Sequence, residues 1–447
     1  MYRYIIEDLR HIPPFNEEAS ELTVGAVALK IHQENVFTAL FGDESKLGNI
    51  FKDADGRQTH HAMQTIDKGP AVLYRDNLWF DREFMQYFID ESKKTGKACR
   101  AAFSADDPAF RTYALPLTKG FERSQDGKGK PIFLIDLWYF PNGYTHEVVP
   151  IVVPSEAEEM GFYSVPDFMK MEQGELTHYA PLRAVLSIES WVHVYFANII
   201  FGNFARASRY TRYVKNHNFY ALKVLWKAIM EQKQILSTSE VVKVGKNTNI
   251  HPTAIITGPA EIGDNCTIGP GAVIDNCTIG DNVTIDDGCV MFMSTIANNC
   301  FLPFRAALYL TSVMESTIIA QNTCLQMCVI GRNSFVGAGS TFTDFNLVAQ
   351  KPIRASNMHG EMESVGQIVL GSAIGHNCRI GSGMVMFPGR MIESDVVLVA
   401  SPQRRVIARS VTYEESDHHF IAGGETHRRF YPRADEIPEP QQTWDNW

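Results

Sequence analysis

The sequence predicts a two-part chain, an α/β domain followed by an all-β parallel β-helix. Three observations carry this expectation. Aliphatic residues recur at six-residue spacing from about Val244 to Leu398. Residues 71–95 read as strand, loop and helix. At 447 residues the chain is too long for one core, and typical domain sizes suggest about two to four units.

The repeat starts at Val244 and runs through Ile250, Ile256, Ile262, Ile268 and Ile274. A five-residue step resets the phase at Ile279 and Ile285, and the series loosens around Ile296 and Leu302. It resumes at Ile318, Cys324, Ile330, Val336 and Phe342, and again from Ile368 through Ile374, Ile380, Met386 and Ile392. A six-residue period suits neither a helix nor a lone strand. It suits short strands joined by identical corners, each strand sending one aliphatic side chain inward. Glycine often follows the aliphatic residue, as at Gly263, Gly331 and Gly375, where a corner calls for a backbone that disfavours side chains. Two stretches break the pattern, FRAALYLTSV near residues 304–313 and a longer segment over 344–367. Loops extruded from a rigid solenoid are common sites for binding groups.

Upstream, Ala71–Tyr74 reads as a strand, and Asp81 as the cap of a helix that places Phe84, Tyr87 and Phe88 on one face. Residues 131–140 and 148–154 read as strands. Ser187 or Ser190 caps an aromatic helix through Phe204. The core reading of that helix is preferred to a lipid-interface reading, because Asn198, Gly202 and Asn203 interrupt it. A further helix opens at Asn218, with Leu222, Leu225, Trp226 and Ile229 as its apolar face, and bridges to the β-helix. The expected units are therefore residues 1–217, a linker helix 218–240, the β-helix 241–400 with an inserted loop 344–367, and a polar tail 401–447.

Composition limits the function. Hydrophobic residues make up 45% and charged residues 21%, as in a folded soluble protein. A net charge of -10 argues against phosphate-backbone binding, so nucleic acid is not an expected partner. No apolar run is long enough to span a bilayer, and the N-terminal MYRYIIEDLRHIPP lacks signal-peptide order, which makes the cytoplasm the default. Seven of the eight cysteines fall in the repeat region and read as small core residues. Cys324 and Cys328 have no second pair to complete a zinc site, so no metal site is expected, His60–His61 and His418–His419 notwithstanding.

The repeats resemble the left-handed β-helix of hexapeptide transferases, and that resemblance implies handedness and a homotrimer. Glu21–Val27, the segment GPAVLYRDNLWFD and VGAGSTFTDFN at 336–346 together resemble the bifunctional sugar-1-phosphate nucleotidyltransferase and glucosamine-1-phosphate acetyltransferase family. The N-terminal part then looks like a degenerate nucleotidyltransferase domain. Asp76 matches the family's metal-binding aspartate, and Mg2+ is implied only if nucleotidyl transfer survives. The glycine-rich phosphate loop is missing, and Asn16, Glu17, Glu18 and Thr23 stand where relatives carry Thr-Arg-Pro and a second arginine. An anion at Glu17 would repel a triphosphate.

The family's catalytic histidine aligns with Gln321, which cannot act as a base. The segment Ile374-Gly375-His376-Asn377 resembles the general-base segment of other hexapeptide acyltransferases, so His376 is the catalytic candidate, at a corner expected to face solvent. Asp344, Asn346, Lys351, Arg354, His359 and Arg390 are the candidate substrate-binding residues, since a guanidinium fork suits phosphate or the pyrophosphate of coenzyme A. The preferred expectation is acyl transfer from an acyl-CoA such as acetyl-CoA to a sugar phosphate or nucleotide sugar. A non-catalytic sugar-nucleotide sensor or scaffold and a sugar-1-phosphate nucleotidyltransferase are the alternatives.

Overall fold

The structure is a computed structural model, and it describes residues 1–42, 46–52, 63–163, 176–346, 351–357, 360–420 and 427–436. The N-terminal part is built on a seven-stranded mixed sheet. Its strands are β1 (Tyr2–Glu7), β2 (Lys46–Lys52), β3 (Ala71–Arg75), β4 (Ala98–Ser104), β5 (Glu122–Gln125), β6 (Pro131–Phe140) and β7 (Val148–Val152). The order is β7-β4-β6-β3-β1-β2, with β5 hydrogen-bonded to β6. Strand β1 pairs in parallel with both β2 and β3, while β6 runs antiparallel to β3 and β4. Helices α1 (Leu29–Phe41) and α2 (Arg82–Thr95) are in contact with each other. Asp81 caps α2 as expected, its Oδ1 accepting the Phe84 N–H at 2.7 Å, and this removes one of the four unpaired donors of the first turn.

Helix α3 (Trp191–Asn198) and the π-helical turn Ile199–Phe204 are buried almost throughout, so the aromatic helix is core. Its cap is Ser190, whose Oγ accepts the Val192 N–H; Ser187 instead donates to Glu189 at 2.7 Å. Helices α4 (Ala205–Asn216) and α5 (Asn218–Glu231) follow, and α5 ends at Gln232 in the left-handed region.

The β-helix comprises three parallel sheets of eight strands each, beginning at Val242–Val244, Asn249–Ile250 and Ile255–Thr257 and ending on the third face at Val406–Ile407. Ile274, Met291, Leu308, Leu325 and Phe342 stack in register, as do Ile285, Leu302, Ile319 and Val336. These side chains form one buried prism.

The stacking corrects four expectations. Successive coils here are offset by 17 residues, so the five-residue step recurs in every turn of this region, and FRAALYLTSV is an ordinary coil with Leu308 and Val313 inward. Ile318 and Cys324 consequently point outward, and their neighbours Ile319 and Leu325 fill the prism. The glycine after the aliphatic residue is required by close stacking rather than by a left-handed backbone. A Cβ on Gly263 would lie 2.6 Å from the Gly280 carbonyl of the next coil. The left-handed residue is the asparagine two positions later, with φ 56° at Asn265, 57° at Asn282 and 51° at Asn333, and its local side-chain bonding tolerates that region.

The first face of the prism packs against the N-terminal part. Asn198 Nδ2 donates to Ser312 Oγ at 2.9 Å, and Asn203 Nδ2 donates to the Met293 carbonyl at 3.0 Å. Met293, Leu310, Met314 and Met327 belong to the same buried cluster as Trp191 and Phe201. The described residues of the inserted segment are no free surface loop either. Residues Arg354–Ser356 and Met362–Ser364 form an antiparallel ribbon, with Ile353, Ala355 and Val365 buried in that shared cluster.

Candidate functional site

In open α/β sheets ligands gather at the carboxyl ends of the strands, and here the chain leaves β1 at Asp8 and β3 at Asp76. Asp76 is buried and its Oδ1 accepts the Asp8 N–H at 2.8 Å. Burial, then the neighbouring carboxylates of Asp8, Glu18 and Glu7, push its pKa up to about 7, against the opposing Asp8 N–H. Asp8 is held by Arg10, whose Nε donates to Oδ1 at 2.6 Å while its Nη2 reaches Oδ2. This arrangement does not fit Mg2+. A cation already occupies the Asp8 oxygens, Asp76 spends an oxygen on a backbone donor, and no cluster of three His, Cys, Asp or Glu ligands occurs among the described residues.

The loop after β1 seats on the β-helix. Ser394 Oγ lies 3.0 Å from the carbonyl oxygens of both Pro14 and Phe15. A Cβ on Gly375 would lie 2.6 Å from the Pro14 carbonyl, so this glycine lets the loop approach. Asn16 Nδ2 donates to Glu393 at 2.9 Å, and Arg332 Nη1 donates to Glu17 at 2.7 Å. Arg332 also bonds the Glu21 carbonyl and pairs with Glu315. Glu17, which would repel a triphosphate, is therefore the anion that docks the loop.

His376 lies beneath that loop with no exposed surface, which corrects its expected solvent-facing position. Its Nδ1 accepts the Arg332 N–H at 2.9 Å, which leaves the proton of the neutral ring on Nε2, 3.4 Å from Glu17 Oε2. Phe15 and Tyr431 flank the ring at 5.1 and 4.7 Å. Burial lowers the imidazole pKa, and contact with Glu17 offsets only part of that shift. Burial alone would raise the Glu17 carboxyl, but His376 and the Arg332 charge more than cancel it.

The tail completes the cover. The N–H groups of Phe430 and Tyr431 donate to Asp395 Oδ2 at 2.9 and 2.7 Å, and Arg433 Nε donates to Glu393 at 2.7 Å.

Beside this buried knot lies a cavity of about 1000 Å³. The loop after β1 contributes Arg10 and His11, the ribbon contributes Ser356 and Met362, and the β-helix contributes Arg390. The tail supplies Arg433 to its wall. Arg390 Nε donates to the Ala408 carbonyl at 2.8 Å, and no carboxylate pairs with its guanidinium among the described residues. His11 Nδ1 is buried without a hydrogen-bond partner among the described residues, and burial holds its pKa below the ordinary value against the charge of Glu17.

Of the residues singled out by sequence, Arg390 lines the cavity, and the Arg354 carbonyl lies 2.3 Å from where a Cβ on the adjacent Gly389 would stand. Arg354 itself is exposed and bonds the Met362 carbonyl. Lys351 is exposed and does not line the cavity. Asp344 and Asn346 are half-buried at the base of the loop, where the Asp344 carbonyl accepts the Leu370 N–H at 2.9 Å. His359 lies outside the described residues, as does the His60–His61 pair. Sequence reasoning missed Arg10 and His11. Their signal was a basic pair directly after the first strand, the point where an α/β sheet places its ligand loop.

Residues 242–276 match the family model of the bacterial transferase hexapeptide, six repeats. The prism is a hexapeptide-repeat β-helix. Among solved structures the chain is similar to a hexapeptide transferase family protein from Anaplasma phagocytophilum, 18% identical, covering 39% of this chain and 88% of that one with a TM-score of 0.17. It is also similar to a variant perosamine N-acetyltransferase from Caulobacter crescentus in complex with CoA and GDP-perosamine, 16% identical, with a TM-score of 0.14. That match covers 35% of this chain and 54% of the acetyltransferase, so the hexapeptide-repeat chain spans about half its length. No curated protein matches the sequence.

Proposed function

We propose that this chain is a transferase that binds a sugar phosphate or nucleotide sugar in the junction cavity and transfers to it an acyl group from an acyl thioester such as acetyl-CoA. The observation that carries this reading is that one cavity is lined both by His11, whose imidazole burial keeps neutral, and by Arg390, whose guanidinium pairs with no carboxylate among the described residues. Arg390 binds phosphate oxygens as a planar fork. His11 takes the proton from a sugar amine or hydroxyl as that group attacks the thioester carbonyl carbon. The C–S bond breaks, an amide or ester forms, and the thiolate leaves to be protonated as free thiol. His376, sealed between Phe15 and Tyr431, serves as a positioning residue for the loop that carries His11. Eight free cysteines suit a reducing cytoplasm. A copy-to-copy face such as that of a trimer is supported by Phe301, Ile318 and Phe335, which stack in register and outward on the second face.

A second reading, binding without turnover, is favoured by the sealing of His376, the base that the resemblance implies. Thiol release from acetyl-CoA, measured with a panel of sugar phosphates and nucleotide sugars, decides between them. Turnover lost in His11→Ala supports the transferase. Saturable binding with no thiol release in the parent protein replaces it with the sensor.

A further inference from the structure

The apolar face expected to bury the linker helix is its exposed face. Val224 and Ala228 turn inward, while Phe219 is 91% exposed, Leu222 62%, Trp226 63% and Ile229 63%. Those four positions are spaced three, four and three residues apart, the spacing of a two-helix seam in which each side chain enters a gap on a facing helix. Leu225 and Met230 flank the seam, and Ile235 and Leu236 prolong it. Together they leave on the order of 800 Å² of apolar surface, beyond the roughly 300–600 Å² of the largest patch on a typical monomer and close to one partner's share of a standard interface.

We infer that this seam is a docking surface for the same helix of a second copy of this chain, packed about a two-fold axis. The spacing calls for a helix, and a two-fold pairing supplies one of matching seam without a further component. The rim argues against lipid. Lys223 pairs with Glu240 at 2.8 Å, and Lys227 and Lys233 share Glu231 at 3.4 and 3.8 Å, so two carboxylates already offset most of the charge of the three lysines that would seek anionic headgroups. The chain as a whole carries -10, which an anionic bilayer repels. Contact through this seam is separate from any assembly through the β-helix faces, and it doubles whatever unit those faces form.

The test is the mass of the full chain in solution by light scattering over a dilution series, alone and as Leu222→Glu and Ile229→Glu. The parent is expected to dissociate on dilution to half its mass, and each variant to stay at that half mass at all concentrations with an unchanged circular dichroism spectrum. A second variant, Trp226→Ser, gives the same reading if a glutamate disturbs folding. Parent and variants of equal mass at every concentration would overturn the inference. So would sedimentation of the parent, but not of Leu222→Glu, with phosphatidylserine-containing vesicles, which would assign the seam to a membrane surface.

Discussion

Glu17 and Arg332, 315 residues apart in sequence, meet at 2.7 Å and join the first loop of the N-terminal sheet to a corner of the β-helix. Both side chains are mostly buried, so removing one leaves the other's charge uncompensated. Arg332→Ala is expected to cost about 3 kcal/mol, and the double variant with Glu17→Gln is expected to recover part of that loss. Chemical denaturation of the four proteins in a double-mutant cycle measures the coupling; additive effects would show that the pair is not a fastener.

Asp76 makes stability fall as pH rises. Its folded pKa of about 7 lies above the ordinary value, so the folded state holds a proton that the unfolded state has lost. The stabilisation is complete below the unfolded value near pH 4 and disappears as pH climbs through about 7. Asp76→Asn keeps an acceptor for the Asp8 N–H without the charge. It is expected to be close to neutral at pH 4 and more stable than the parent at pH 8, by on the order of 2–4 kcal/mol. Melting curves at the two pH values check the sign.

His178 works in the opposite direction. It is stacked on Phe162 at 4.2 Å, and burial lowers its pKa to about 3. Its contribution is whole above pH 6.5 and is lost as pH falls from there towards 3, because the unfolded imidazole takes up a proton that the folded one refuses. His178→Phe is expected to flatten the acid limb of the stability curve. Loss of the Tyr113 hydroxyl contact at 3.0 Å is expected to cost about 1 kcal/mol at pH 8. An acid limb as steep as the parent's would show that another group governs it.

Arg390 and His11 have separable roles under the transferase reading. Arg390→Ala is expected to weaken binding of a phosphorylated sugar by roughly tenfold to a hundredfold, the loss of one charge-assisted hydrogen bond, with little effect on an unphosphorylated analogue. His11→Ala is expected to lower kcat by about 10² to 10⁴ with a modest change in KM. Isothermal titration and thiol-release kinetics distinguish the two patterns, and equal effects on both parameters would place His11 outside the chemistry.

The β-helix was legible because each rung repeats the same demand, one aliphatic residue inward, so many weak signals add. Its phase was not fully legible. Ile318 and Ile319 are both isoleucine, and only the stacked partner Phe301 shows which of them faces out. Asp81 was readable because a cap acts within three residues. His376 was misplaced for the opposite reason, since its covers, Phe15 and Tyr431, come from distant parts of the chain and leave no local mark. Leu222 and Trp226 were grouped correctly as one face, but amphipathic spacing says which residues belong together and not whether a partner lies within the same chain.

The distance between Pro14 and its seat has a consequence for biosynthesis. The Pro14 carbonyl meets the hydroxyl of Ser394, a residue 380 positions downstream, and Tyr431 closes over the same spot later still. During translation the first loop emerges early and waits, unanchored, while nearly the whole polypeptide is made. The loop after β1 therefore reaches its final seat only when the last rungs leave the ribosome, and a truncated product would display it unseated to chaperones and proteases.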